Sequence, residues 1–303
     1  MDRRKFIRNA SLSAIGISLS QSGNALNYLN GKSKRNIITG AHVWVYAKNL
    51  PGYDVSPVLK QIFSDVSYAG FDGVETMEQP LKSTVYTKQI SELMEQFKIA
   101  LIGTSYGAEM WDKEKHNQIY EDVELVMSNL ASLGGRTFGT SVGRPKGRVK
   151  TEQEFDAQAM LLKKMMALGK EKGITLNLHN HTYEAENNLF DLRNTLKRLP
   201  EVKLGPDLNW LLRAGINPVN FLKEFKTQIS FLHLRDQLTN GKWPESMGEG
   251  NVDFKEIGSV LKEINFVGDA VIELAHENDF KPTRPIRESL KMSREYMKKA
   301  MGI

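Results

Sequence analysis

The 303-residue chain contains no cysteine. That absence excludes thiolate catalysis, cysteine-ligated zinc, disulfide staples and lipid attachment through a thiol. It lacks any apolar run of the roughly 20 residues that a stable membrane-spanning helix needs. It also lacks a strong charge of one sign. The formal net charge is +5, but residues 1–25 hold four of the 41 basic residues and only one of the 36 acidic ones, so the remainder stands at +2. No basic stripe of the kind that binds nucleic acid is present. Finally, the first strand-like run, "TGAHVWVYA" (39–47), carries no glycine-rich phosphate turn. A dinucleotide-binding sheet usually shows one there.

The amino terminus is distinctive. "MDRRKFIRNASLSAIGISLSQSGNA" places Arg3 and Arg4 before Phe6 and a mildly apolar stretch from Ala10 to Leu19. This pattern reads as a twin-arginine export signal over residues 1–25, cleaved after Ala25, and implies a periplasmic protein exported already folded. Residues 26–36, including "KSKRN", read as linker.

From residue 37 onward short β-rich runs alternate with longer amphipathic stretches. The predicted strands are Ile37–Tyr46, Gly73–Thr76, Ala100–Thr104, Arg136–Ser141, Ile174–His179, Lys203–Asn209, Ile229–Arg235 and Ala270–Leu274. Between them, segments such as "EFDAQAMLLKKMMALGKEKG" (154–173) repeat apolar residues at three and four, and several stop at glycine. Eight strand–helix units in about 265 residues predict a single α/β domain, 37–303, folded as a (β/α)8 TIM barrel. Active sites of such barrels lie at the C-terminal ends of the strands.

Side chains alternate along a strand. In "ITLNLHNH" (174–181) the apolar Ile174, Leu176 and Leu178 must face the helices, so His179 and His181 face the barrel interior or its mouth. The same parity turns Asp207, His233, Arg235 and Glu273 inward on the next three strands. His179, Asp207, His233 and Glu273 form a mixed nitrogen and oxygen set that suits Mn²⁺, Co²⁺, Zn²⁺ or Fe²⁺ and suits Ca²⁺ poorly. His116, in the charged stretch "DKEKHNQ", is expected on the surface.

These motifs resemble the xylose isomerase-like TIM-barrel superfamily, the sugar phosphate isomerase/epimerase group. The landmarks are "AGFDGVET" (69–76), "LHNHTYE" (178–184), "GPDLNWLLRAGINP" (205–218), "FLHLRDQ" (231–237), "GEGNVDF" (248–254) and "VIELAHE" (271–277). The resemblance implies one divalent metal held at the ends of the last four strands, commonly by Glu, Asp, His and Glu. The matching positions are His179, Asp207, His233 and Glu273, and Arg235 matches a position that contacts substrate. His179 departs from the pattern, because many epimerases carry glutamate there. Two carboxylates on opposite faces of a sugar permit epimerisation, and here one of them is replaced. Glu273 remains as the candidate base, with His181, Glu184, Glu75 or Glu249 as the second acid/base.

Weaker assignments follow. Glu75, His42, Trp44 and Glu249 are candidate substrate contacts. Trp243 is a candidate lid residue, Asn180 a support for its neighbours, and Asp253 a helix cap. The expected activity is metal-dependent isomerisation or epimerisation of a non-phosphorylated keto-sugar or glycoside through α-proton abstraction. A 3-keto-glycoside lyase or hydrolase using one base is the alternative, and a non-catalytic sugar-binding protein a third.

Overall fold

The computed structural model describes residues 37–303. The export signal and linker read from the sequence lie outside the described residues. Eight parallel strands form one sheet: β1 (Ile37–His42), β2 (Gly73–Met77), β3 (Ala100–Gly107), β4 (Thr137–Ser141), β5 (Thr175–Leu178), β6 (Lys203–Leu204), β7 (Phe231–Leu234) and β8 (Gly268–Ile272). Their order, β6-β5-β4-β3-β2-β1-β8-β7, runs round a ring. Parallel bridges Leu204↔Ile229 and Asp207↔His233 join β6 to β7, so the barrel is nearly closed. The outer helices are α1 (Leu59–Ala69), α2 (Thr84–Phe97), α3 (His116–Ser132), α4 (Glu152–Lys172), α5 (Thr182–Arg198), α6 (Leu208–Arg213), α7 (Pro218–Glu224), α8 (Phe254–Glu263) and α9 (Ile286–Met301). This is the TIM barrel that the alternation predicted. Among the described residues no helix is long and apolar enough to cross a membrane.

Local chemistry sets the helix ends. Thr151 and Glu154 make a reciprocal capping box on α4, and Gly173 closes it at φ 72°. Asp253 caps α8 by accepting the Glu256 N–H at 2.9 Å, as read from sequence. The main apolar core lies between strands and helices. A second, small layer of Ile38, Ala100, Ile102, Phe231 and Val271 fills the barrel interior. Glycine keeps that interior narrow: a Cβ on Gly73 would lie 2.6 Å from Ile102 Cγ2 and 2.8 Å from the Ala100 carbonyl oxygen. Above this plug the inward positions turn polar, which raises the site onto a dry floor.

The structure departs from the sequence reading in several places. β1 stops at His42, and Trp44–Ala47 forms a helical turn instead of more strand. β6 has only two residues, because the Asp207 carboxylate caps α6 by accepting the Asn209 and Trp210 N–H groups at 2.8 and 3.1 Å. A helix therefore begins where the β-rich composition suggested strand. In α5 the backbone breaks, with Asn187, Asn188 and Leu189 all at positive φ. His116 is buried, its Nε2 2.9 Å from the Met110 carbonyl, and not on the surface.

Two predictions follow from this packing. Gly73→Ala forces a methyl group against β3 backbone and should cost about 1–3 kcal/mol in urea unfolding. Asp269 is buried at the start of β8; burial raises its pKa to about 6, and Arg136 offsets this only in part. The folded state then holds a proton that the unfolded state has already released. The stabilisation from this group is full below about pH 4 and is lost as pH rises to about 6, roughly 3 kcal/mol in all. Comparing urea unfolding of wild type and Asp269→Asn at pH 4 and 6.5 should show that difference in slope.

Candidate active site

The C-terminal strand ends supply the polar cluster. His42 ends β1, Glu75 comes from β2, and His179 follows β5; Asp207 follows β6, His233 sits in β7, and Glu273 follows β8. Parallel register places Asp207 beside His233 at the same end of neighbouring strands.

One nitrogen each of His179 and His233 and one carboxylate oxygen of Asp207 lie within 4.8 Å of one another. The two Nδ1 atoms of His179 and His233 are 3.2 Å apart. Glu75 accepts a hydrogen bond from His233 Nε2, so the opposite ring nitrogen faces the cluster. Glu273 Oε2 lies 3.2 Å from that same His233 Nδ1. Arg235 spans the remaining side: its Nη2 is 3.2 Å from Asp207 Oδ2 and also pairs with Glu273. His42 completes the rim, its Nδ1 4.0 Å from Glu273 and its Nε2 2.9 Å from Ser105 Oγ.

The electrostatics follow from this crowding. Burial, and then the neighbouring His233, pulls His179 well below the ordinary histidine range, so its ring is neutral. Burial also works against a charged His233, but Glu75 and Glu273 outweigh it and raise that pKa to about 9. Burial raises Asp207. It opposes charge on Glu273 too, yet Arg235, His42 and His233 together hold this carboxylate below the ordinary range. Glu75, Asp207 and Glu273 are three buried carboxyl groups gathered around one guanidinium, Arg235, and the His233 ring. Two imidazoles and a carboxylate oxygen fit a divalent first-row cation, which would take the place of the proton on His233 Nδ1.

The other expected residues divide. Asn180 supports the cluster, since its side chain exchanges hydrogen bonds with the Asp207 backbone at 3.2 and 3.3 Å. His181 stands beside His179, ring centroids 5.0 Å apart, and stacks on Tyr183. Glu184 is buried, and burial pushes its pKa up to about 8. Its carboxylate accepts the His181 N–H at 2.7 Å and the Val142 N–H at 3.4 Å, so it holds the start of α5. Trp44 opens the turn after β1 and packs on Tyr53, so strand parity does not place it beside His42. Glu249 is not brought to the cluster; it pairs with Arg284 and accepts the Ser246 N–H.

Three residues escaped the sequence reading. Ser105 is on β3, where a register shift against β2 hides its direction from an alternation count. Trp210 and Arg213 lie on α6, a helix that the sequence reading did not place after the sixth strand. The Arg235 guanidinium lies 5.4 Å from the Trp210 ring and 4.9 Å from Trp243. Arg213 covers Trp243 at 4.2 Å, and Trp243 donates Nε1–H to Asn209 at 2.9 Å.

Comparison with known proteins agrees with this architecture. A curated protein named inosose dehydratase from Clostridium botulinum is 24% identical over 282 residues, covering 84% of this chain and 94% of its own. The crystal structure of D-psicose 3-epimerase with D-tagatose from Clostridium cellulolyticum H10 superposes with a TM-score of 0.71 at 12% identity, over 87% of this chain and 99% of that one. The apo structure of 3-keto-D-glucoside 4-epimerase from E. coli gives a TM-score of 0.64 at 16% identity, over 86% and 100%. At these identities the structural likenesses speak for the fold. Residues 63–296 match the family described as xylose isomerase-like TIM barrel, and with its fold and strand-end cluster in place the chain belongs to that family.

Proposed function

We propose that the protein is a divalent-metal-dependent enzyme that removes the proton next to the ketone of a non-phosphorylated keto-sugar or keto-glycoside. The observation that carries this reading is the convergence of His179, Asp207 and His233 within 4.8 Å, with the Glu273 carboxylate 3.2 Å from His233. His179, Asp207, His233 and Glu273 would hold the metal. A cation bound there would supply Lewis-acid stabilisation for the negative charge that develops as the proton leaves.

The chain's own groups do the rest. Glu273 accepts the α-proton on a carboxylate oxygen. Arg235 orients that carboxylate and keeps it ionised before substrate arrives. Glu75 fixes the His233 ring. Return of the proton at the neighbouring carbon, or from the other face, gives isomerisation or epimerisation. In this reading His181, beside His179 with ring centroids 5.0 Å apart, is the candidate second acid/base.

A second outcome, β-elimination from the same enediolate, is favoured by one specific feature. His179 stands where a second carboxylate would serve a two-base epimerase, which leaves one carboxylate and one imidazole at the mouth. One base and one acid suffice for elimination, and the curated relatives carry a dehydratase name. Charge supports a non-phosphorylated substrate, because Arg235, Arg213 and Arg284 each already face a carboxylate. The twin-arginine pattern supports action in the periplasm.

Two measurements test this. Purified protein should hold about one equivalent of divalent metal by plasma mass spectrometry, and His179→Ala and His233→Ala should lose most of it. Unchanged metal content in both variants would sink the assignment. Incubation with a 3-keto-glycoside in D₂O should place deuterium next to the ketone; an intact glycoside then marks isomerisation, and a released aglycone marks elimination. Glu273→Gln should slow either outcome by roughly 10²–10⁴ while sugar binding persists.

A further inference from the structure

Beyond the polar cluster, the mouth of the barrel offers more space. A cavity of about 630 Å³ lies between the β7–α8 and β8–α9 connections. That is within the roughly 300–1,000 Å³ of sites that enclose small organic ligands. Trp243 borders both spaces: its ring lies 4.9 Å from the Arg235 guanidinium, which pairs with Glu273, and it also lines the cavity. Glu277, four residues beyond Glu273, lines the cavity and pairs with Arg213 at 3.6 Å.

The walls are held in place by buried polar ties. Glu245 of the β7–α8 connection accepts hydrogen bonds from Thr283 N, Thr283 Oγ1 and Arg284 N at 3.0, 2.7 and 3.2 Å, which staples the two connections together. Asp236 accepts the Gly248, Gly250 and Val252 N–H groups at 2.8, 2.9 and 3.2 Å and sets the path of the same connection. A cavity between pinned loops is available without a large ordering cost.

We propose that this cavity is a second carbohydrate subsite, taking a glycosyl unit attached to the reacting keto-sugar ring. Phe280 presents aromatic surface to the cavity and is backed by His276 with ring centroids 4.5 Å apart. Such surfaces accept the C–H faces of a pyranose. Glu277 and the exposed Asp279 accept hydroxyl hydrogen bonds around the rim. The lining carries four acidic and three basic side chains. Arg284 is spent on Glu245 and Glu249, which disfavours an anionic occupant. The identity of the first ring rests on the keto-sugar reading of the adjacent site; the cavity itself does not. The substrate class is thereby narrowed from a monosaccharide to a disaccharide-sized keto-glycoside.

Two arms test this on the full chain. Calorimetric titration with methyl glucoside and with unoxidised trehalose, maltose, cellobiose and sucrose should show at least one disaccharide binding about tenfold more tightly. Phe280→Ala and Asp279→Ala should each remove most of that margin with the thermal unfolding midpoint unchanged. If no disaccharide outbinds methyl glucoside, or if both variants keep the margin, the subsite is refuted. The second arm compares KM for a 3-keto disaccharide and 3-keto methyl glucoside. Equal turnover of both, with no binding margin, refutes the subsite and leaves the keto-sugar chemistry standing. A binding margin lost in the variants, with neither ketone consumed, supports the subsite and refutes that chemistry.

Discussion

The arrangement depends on one guanidinium. Arg235 lies between Asp207 and Glu273, buried with both. Buried carboxylates are expensive unless they are paired, and removing a partner leaves an uncompensated charge in low dielectric. Arg235 offsets two of them at once and presses its flat face towards Trp210 and Trp243. It therefore sets the positions of three elements together: the start of α6 through Asp207, the end of β8 through Glu273, and the β7–α8 connection through Trp243. The Glu75–His233 pair does similar work on the opposite side and fixes which imidazole nitrogen meets the cluster.

The rest of the mouth is organised by carboxylates that serve backbone. Asp236, Glu245 and Glu184 are all buried, and each accepts main-chain N–H groups from a loop or a helix start. Loops at a barrel mouth have exposed, unpaired N–H groups that water would otherwise satisfy. Using carboxylates for this purpose keeps the connections ordered without filling the space between them. Acidic residues near this site thus fall into two groups, those that face the cluster and those that hold loops, and their sequence context does not separate the two.

The fold was legible because strand and helix periods differ and alternate eight times. The cluster was legible because a half-buried strand has only two faces: with Leu176 and Leu178 outward, His179 had to be inward. The same logic worked for Asp207, His233, Arg235 and Glu273. It failed at Trp44 and Asn209, where a β-rich composition continued past the true strand end. In both cases a side chain at the strand end, His42 or Asp207, accepts a following main-chain N–H and turns the chain into helix. It could not reach Glu184 and Glu249, because parity says nothing about residues in helices and loops. His116 shows the converse, a histidine in a charged stretch that a single carbonyl draws inward.

Sequence alone determined the barrel, the inward direction of the strand-end residues and the residue types of the cluster they form, since these follow from periodicity and residue identity. Only the tertiary structure decided how those residues are shared. It gave Arg235 to two carboxylates, Glu75 to His233 and Glu184 to a helix start, and it opened a cavity beyond Trp243. Those outcomes depend on distances between side chains far apart in sequence, which closure of the barrel sets and local pattern does not encode.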